Sequence, residues 1–232
     1  VKRLPQPAAR LFRGIVAAIA LAAATQVAAE RSDLDGVWLL LSTTPPDDLH
    51  LTPAAEAAMA SYDPLLDDSD TECVPVSFTN IMNTPSPPFE IVQRGDHVEI
   101  NYEFMDVRRR VPLDASLTVD SAPATVPEHP HLGRSVGRYE GATLVVDTAG
   151  QRAGALDTFT VVGLPQSDQM RTEERFTASG DVLDAVVTHN DPVYYSAPLI
   201  MTYRFHRLDT PLLEWGCTVE AANYDERLEE QR

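Results

Sequence analysis

His97-Val98-Glu99-Ile100-Asn101-Tyr102-Glu103-Phe104 is the stretch that decides the fold class. Extended, it places Val98, Ile100, Tyr102 and Phe104 on one face and His97, Glu99, Asn101 and Glu103 on the other. A period of two marks a strand with one buried and one solvated side. The period returns further on, where Leu199, Met201, Tyr203 and Phe205 alternate with Ile200, Thr202, Arg204 and His206. In the span 181–190, Leu183, Ala185 and Val187 oppose Asp184, Thr188 and Asn190, with Val182 and Val186 blurring the contrast. Further strands are expected over Gly36–Ser42, Phe89–Arg94, Val107–Leu113, Ser135–Tyr139, Thr143–Asp147, Met170–Thr177 and Leu212–Thr218, about ten in all. Arg94-Gly95-Asp96, Glu140-Gly141-Ala142 and Ser179-Gly180-Asp181 each separate two alternating runs and read as hairpin turns.

One helix is expected. Thr52 supplies an N-cap, Pro53 the first helical position, and Ala54–Ser61 is rich in helix formers. Glu56 lies where the helix dipole favours an acid. Residues 114–132 carry Pro123, Pro127 and Pro130 and read as a long surface loop. Short strands joined by hairpins, with little helix between them, favour antiparallel over parallel pairing. The expected fold is therefore mainly β, a single antiparallel up-and-down barrel of the lipocalin or calycin kind with one short N-terminal helix. A β-sandwich is the alternative.

The first 29 residues read as a cleavable secretory signal. Lys2, Arg3, Arg10 and Arg13 precede an apolar run from Gly14 to Ala24, and Val27 and Ala29 offer small residues before a cut at Glu30. That run is too short to span a bilayer, which takes roughly 20 apolar residues. The expected mature chain, 30–232, is one domain without a membrane span, working in the periplasm or outside the cell. Removing the four basic residues leaves 14 against 35 acidic ones, a net charge of −21 where the full chain has −17. A field of that sign repels nucleic acid. Cys73 and Cys217 are the only cysteines, and an oxidising compartment favours joining them.

Candidate chemistry is sparse. Asp63, Asp67, Asp68 and Asp70 lack the ordered spacing and glycine of a Ca²⁺ loop, and His129-Pro130-His131 has no third ligand at a characteristic spacing. No metal or cofactor is expected. His129 or His131 remains a candidate acid or base. Arg108-Arg109-Arg110 lies in a strand pattern, so at least one guanidinium points inward and needs a carboxylate such as Glu90, Glu103 or Glu173. Two readings compete for it: a structural ion-pair network, or a polar floor that orients a ligand together with Arg138. Nucleophile-elbow, zinc-protease, P-loop and dinucleotide motifs are lacking.

Gly137-Arg138-Tyr139-Glu140-Gly141-Ala142-Thr143-Leu144-Val145-Val146-Asp147-Thr148 is the most specific string. It resembles the G-R-W-E-G-D-T-L-V-V-D-T segment of a large, mostly uncharacterised family of exported bacterial proteins. Leu51-Thr52-Pro53, Cys73-Val74-Pro75, Ile81-Met82-Asn83-Thr84-Pro85, Glu174-Arg175-Phe176, Asp191-Pro192 and Glu214-Trp215-Gly216-Cys217 match in the same order. The departures are Gln166 where that family reads His, Ala142 where it reads Asp, and Glu220-Ala221-Ala222-Asn223 where it reads Glu-Asn-Asn. The resemblance implies export but no reaction. The leading functional expectation is a barrel that binds a small apolar or amphipathic molecule, with Glu90, Glu103, Arg108, Arg109, His129, His131 and Arg138 as candidate ligand contacts. The alternatives are a lyase, isomerase or hydratase using a His or Glu for proton transfer, and a structural or partner-binding envelope protein with a filled core.

Overall fold

The computed structural model describes residues 32–64, 66–67, 73–75, 77–85 and 87–218. The expected signal segment lies outside the described residues. Among the described residues eleven strands form: β1 (Gly36–Thr44), β2 (Phe89–Gln93), β3 (His97–Tyr102), β4 (Arg108–Pro112), β5 (Arg134–Glu140), β6 (Thr143–Ala149), β7 (Gly154–Asp157), β8 (Leu164–Gln166), β9 (Arg171–Ser179), β10 (Val182–Asn190) and β11 (Leu199–Leu208). Nine of them make one antiparallel sheet in the order β4-β3-β2-β1-β11-β10-β9-β6-β5, and β7 pairs with β8 as a separate ribbon. Apart from that excursion, each neighbour in the sheet is a neighbour in sequence, and the pairing of β1 with β11 joins the chain's two halves. The fold is a nearly closed up-and-down barrel, as the alternating runs predict.

Closure is incomplete at one seam. Strands β4 and β5 are the edges of the sheet and exchange no ladder hydrogen bonds, yet they lie against each other. A Cβ on Gly137 of β5 would stand 2.9 Å from Val111 Cγ1 and 3.0 Å from Leu113 Cδ2. Glycine at that position lets the two edges approach this closely. The loop after β4 covers what remains open: Arg110 N donates to Thr125 O at 3.0 Å, and Thr125 N to Gly133 O at 3.2 Å. An open edge is thus blunted by a loop and not by a twelfth strand.

The inward faces carry the alternation read from sequence. Val98, Ile100 and Tyr102 of β3, Leu183, Ala185 and Val187 of β10, and Met201, Tyr203 and Phe205 of β11 are all buried. Trp38 of β1 is fully buried and its indole N–H donates to Leu34 O at 2.9 Å. A second, smaller cluster of Leu156, Leu164, Met170, Tyr195 and Leu199 lies between the β7–β8 ribbon and helix α1 (Pro53–Ser61), whose Met59 packs on it. Thr52 caps α1 by accepting from Ala55 N at 3.3 Å, as expected.

Three expectations need correction. A second helix, α2 (Phe78–Asn83), follows the Ser77 N-cap and stops at extended Thr84 before Pro85. All six of its residues are buried. Residues 212–218 do not form a strand; the chain after β11 is an irregular strap. The span 114–132 is only partly a surface loop, because Ala122, Thr125, Val126 and Leu132 are buried beneath it.

Candidate functional site

Inside the barrel, alternation along β4 sends Arg109 inward while Arg108 and Arg110 face out. Arg109 is 1 % exposed and its partner is Glu174 of β9, 2 % exposed. The pair is bidentate, with Nη1 to Oε1 at 2.9 Å and Nη2 to Oε2 at 2.5 Å. Nη2 also donates to Ser135 Oγ of β5 at 3.0 Å and Thr148 Oγ1 of β6 at 2.8 Å. The guanidinium lies over the Phe78 ring of α2, 3.7 Å from its centroid, and Nη1 approaches Tyr102 OH at 3.4 Å. Burial alone would lower the pKa of Arg109, but the adjacent Glu174 carboxylate reverses this and raises it. Burial raises the Tyr102 phenol, so it stays protonated. One side chain of β4 therefore reaches β5, β6 and β9. These bonds span the seam that the backbone leaves unpaired, which is a structural role.

Helix α2 fills the space above this cluster. Phe78 stacks near Tyr102 at 6.0 Å between centroids. Asn83 Nδ2 donates to Asp157 Oδ1 at 2.8 Å, and Thr43 Oγ1 donates to Asn83 Oδ1 at the same distance. Asp157 is itself fully buried and accepts from the amides of Phe159, Thr160 and Val161 within 2.9 Å. Thr172 and His189 continue the polar interior: Thr148 is opposite Thr172 in register, and Thr172 opposite His189. Thr172 Oγ1 and His189 Nδ1 are 3.1 Å apart, and burial lowers the imidazole pKa to about 3.

The other expected ligand contacts do not join Arg109. Phe89 and Ile91 take the inward positions of β2, so Glu90 faces out and accepts from Asn101 Nδ2 at 3.1 Å. Glu103 lies between β3 and the 3-10 turn Phe104–Asp106 and accepts from Leu213 N at 2.7 Å. Arg108 donates to Tyr102 O at 2.7 Å and pairs with Asp106. His129 and His131 stay on the loop, rings 5.6 Å apart, where His131 Nε2 is 2.9 Å from Pro75 O and burial lowers its pKa. The expected convergence of these charges fails because pleat parity turns Glu90 and Arg108 outward, while Glu103, His129 and His131 lie outside the strands. The inward carboxylate is Glu174, not Glu173.

Open space lies outside the barrel wall. A cleft of about 660 Å³ runs along the outer faces of β5, β6 and β9, overhung by residues 114–120. Leu117, Val119 and Val136 supply its apolar surface, and Arg138 and Arg171 its cations. Arg138 is held by Glu140 at 2.9 Å, Glu173 at 3.2 Å and Asp147. Arg171 pairs with Asp120 at 2.8 Å across the cleft, and Arg134 Nε donates to Val119 O at 3.3 Å, which together hold the overhang down. Asp114 accepts from Ser116 N and Oγ, and those bonds lower its pKa and keep it ionised. Of the expected contacts, Arg138 alone lines this cleft.

Cys73 and Cys217 form the expected disulfide, with Cα atoms 5.9 Å apart. Among the described residues no helix is long and apolar enough to cross a membrane.

No protein-family model matches the chain, and no curated protein does. Among solved structures, it is similar to the REP1-NXSQ fatty acid transporter, at 13% identity and a TM-score of 0.37 over 77% of this chain and 98% of that one. The zebrafish ileal bile acid-binding protein in complex with cholic acid gives 12% and 0.37 over 75% and 98%. Apo lipid binding protein 8 of Caenorhabditis elegans gives 10% and 0.37 over 75% and 94%. Likenesses this distant carry no inference about ligand or chemistry, and the barrel stands on its own strand order.

Proposed function

We propose that this is an exported binding protein whose ligand is a small amphipathic molecule seated in the outer cleft. The observation that supports this reading is the cleft itself: about 660 Å³, within the range of about 300–1,000 Å³ that small-molecule sites occupy. The barrel interior offers less, since α2 and the Arg109–Glu174 cluster occupy it. The charge of the lining favours a cationic group on the ligand. Asp114, Asp120, Asp147 and Glu173 face two guanidinium groups, both already paired. Leu117, Val119 and Val136 suit an apolar body beside that cation.

Binding is tested by calorimetry with 1-naphthylmethylamine, 1-naphthoate and 1-naphthalenemethanol, three probes with one apolar body. The amine is expected to bind most tightly, to weaken as salt rises, and to be lost in Val136→Trp, which fills the cleft. Equal binding of all three overturns the cationic preference alone. No binding, or binding that survives Val136→Trp, overturns the cleft.

Export rests on the tripartite pattern of residues 1–29, and a disulfide is compatible with it. The mass of the protein recovered from the periplasm of an expressing bacterium is expected to correspond to a chain starting at Glu30. A full-length chain retained in the cytoplasm would refute export.

A further inference from the structure

Beyond Leu208 the chain runs without regular structure as a strap to Cys217. It lands on the turn between β3 and β4. Leu213 N donates to Glu103 Oε2 at 2.7 Å, and Trp215 N and Gly216 N donate to the two carboxylate oxygens of Asp106, each at 3.1 Å. The Trp215 ring meets Phe104 edge-on with centroids 5.1 Å apart. Cys217 then bonds to Cys73, in the segment that leads into α2.

The landing site is strained. Met105 has φ 55°, Asp106 φ 51° and Cys73 φ 58°, the left-handed region that side chains with a Cβ disfavour. Three of the four described non-glycine residues in that region therefore sit where the strap is fastened, the fourth being His50. Such conformations persist only where the surroundings over-determine them, and they gather at switch regions. The strap's own grip is solvent-exposed: Leu213 is 68% and Trp215 42% exposed. Exposed hydrogen bonds of this kind compete with water. Both cysteines of the covalent link are only half-buried.

We propose that residues 209–217 are a thiol-controlled latch. With Cys73–Cys217 joined, the strap holds Met105 and Asp106 in their left-handed form and lays Trp215 on Phe104, which is 7% exposed. An external dithiol opens it by two exchanges. One thiolate attacks and breaks the S–S bond, forming a mixed disulfide. The second thiolate then displaces the protein sulfur. Cys73 and Cys217 end as thiols, having gained two electrons and two protons, and the dithiol leaves as its own disulfide. The strap lifts, the turn relaxes, and Phe104 and the carboxylates of Glu103 and Asp106 become accessible. The barrel stays closed, because the Arg109–Glu174 cluster does not depend on the strap.

Hydrogen–deuterium exchange of the mature protein before and after dithiothreitol, with thiol reduction confirmed by a mass gain of about 2 Da, tests the latch. The Cys73→Ala/Cys217→Ala variant, which needs no reductant, provides the same reading. Segments 103–107 and 212–217 are expected to exchange at least about tenfold faster, with β9, β10 and β11 unchanged. Retained protection in both segments after the bond is gone would overturn the latch. Uniform loss across the barrel would overturn it equally, since the bond would then be a global staple. Asp106→Ala supplies a further check: it removes two acceptors while the disulfide remains, and the oxidised variant is expected to keep its strap more protected than the reduced wild type.

Discussion

Glu174→Ala is expected to lower the free energy of unfolding by about 3–5 kcal/mol, the usual consequence of stripping one partner from a buried ion pair. The Arg109 guanidinium would remain in an apolar interior, keeping its bonds to Ser135 and Thr148 but losing both bonds to a carboxylate. Domains of this size have net stabilities of roughly 5–15 kcal/mol, so the variant is expected to sit near its unfolding threshold at 37 °C. Arg109→Met/Glu174→Leu removes both charges together and is expected to recover much of the loss, because well-packed apolar replacements for a buried pair are often neutral or better. Urea denaturation of the two variants beside the wild type measures the difference. A loss under about 1 kcal/mol in Glu174→Ala would mean that the pair behaves like an exposed one and does not hold the β4–β5 seam.

Much of this fold was legible because its strands are half-buried and alternate cleanly. Nine of the expected strands are the nine of the main sheet, and the three glycine turns join β2 to β3, β5 to β6 and β9 to β10. The misses have physical reasons. Leu212–Thr218 alternates apolar and polar residues, but strand pairing needs an open edge, and the chain past β11 meets acidic side chains of a turn instead. Helix α2 escaped because it is only six residues long and wholly buried, so it carries no amphipathic period to read. Its local signal was Ser77, which accepts from Asn80 N at 3.1 Å. The β7–β8 ribbon, with strands of four and three residues, is too short for a period of two to declare itself.

The site was less legible than the scaffold. Strand parity turns one arginine of the triple inward, but its partner is Glu174 and not the expected Glu90, Glu103 or Glu173. Glu173 and Glu174 are adjacent, and a one-residue slip exchanges the faces of a strand. Phe176 is the marker that resolves them, because a fully buried aromatic two positions on puts Glu174 on its side of the sheet. The same parity from Leu183, Ala185 and Val187 points His189 inward. The outer cleft had no signature at all in the sequence. It arises where a proline-bearing loop folds back over strands distant in sequence and is held there by contacts such as Asp120–Arg171 and Arg134–Val119.

His189 carries the second large effect, and it is an effect of pH. The residue is fully buried, its Nδ1 lies 3.1 Å from Thr172 Oγ1, and burial is what lowers its pKa. An exposed imidazole in the unfolded chain takes up its proton near pH 6.5, whereas burial holds the folded group neutral down to about pH 3. Between those values the unfolded state binds the extra proton, so stability declines as pH falls through that window. At about 1.36 kcal/mol per pH unit, a shift of this size removes at most about 4–5 kcal/mol by pH 3, and nothing above pH 7. His189→Gln cannot take up that proton in either state. Its stability is expected to fall less steeply than the wild type's from pH 6.5 to 4, while carboxylates titrate alike in both proteins and cancel in the difference. Urea midpoints at a series of pH values measure the two slopes. Parallel curves would show that the imidazole is protonated as readily inside the barrel as outside it, and that the neutral interior above β9 and β10 does not exist.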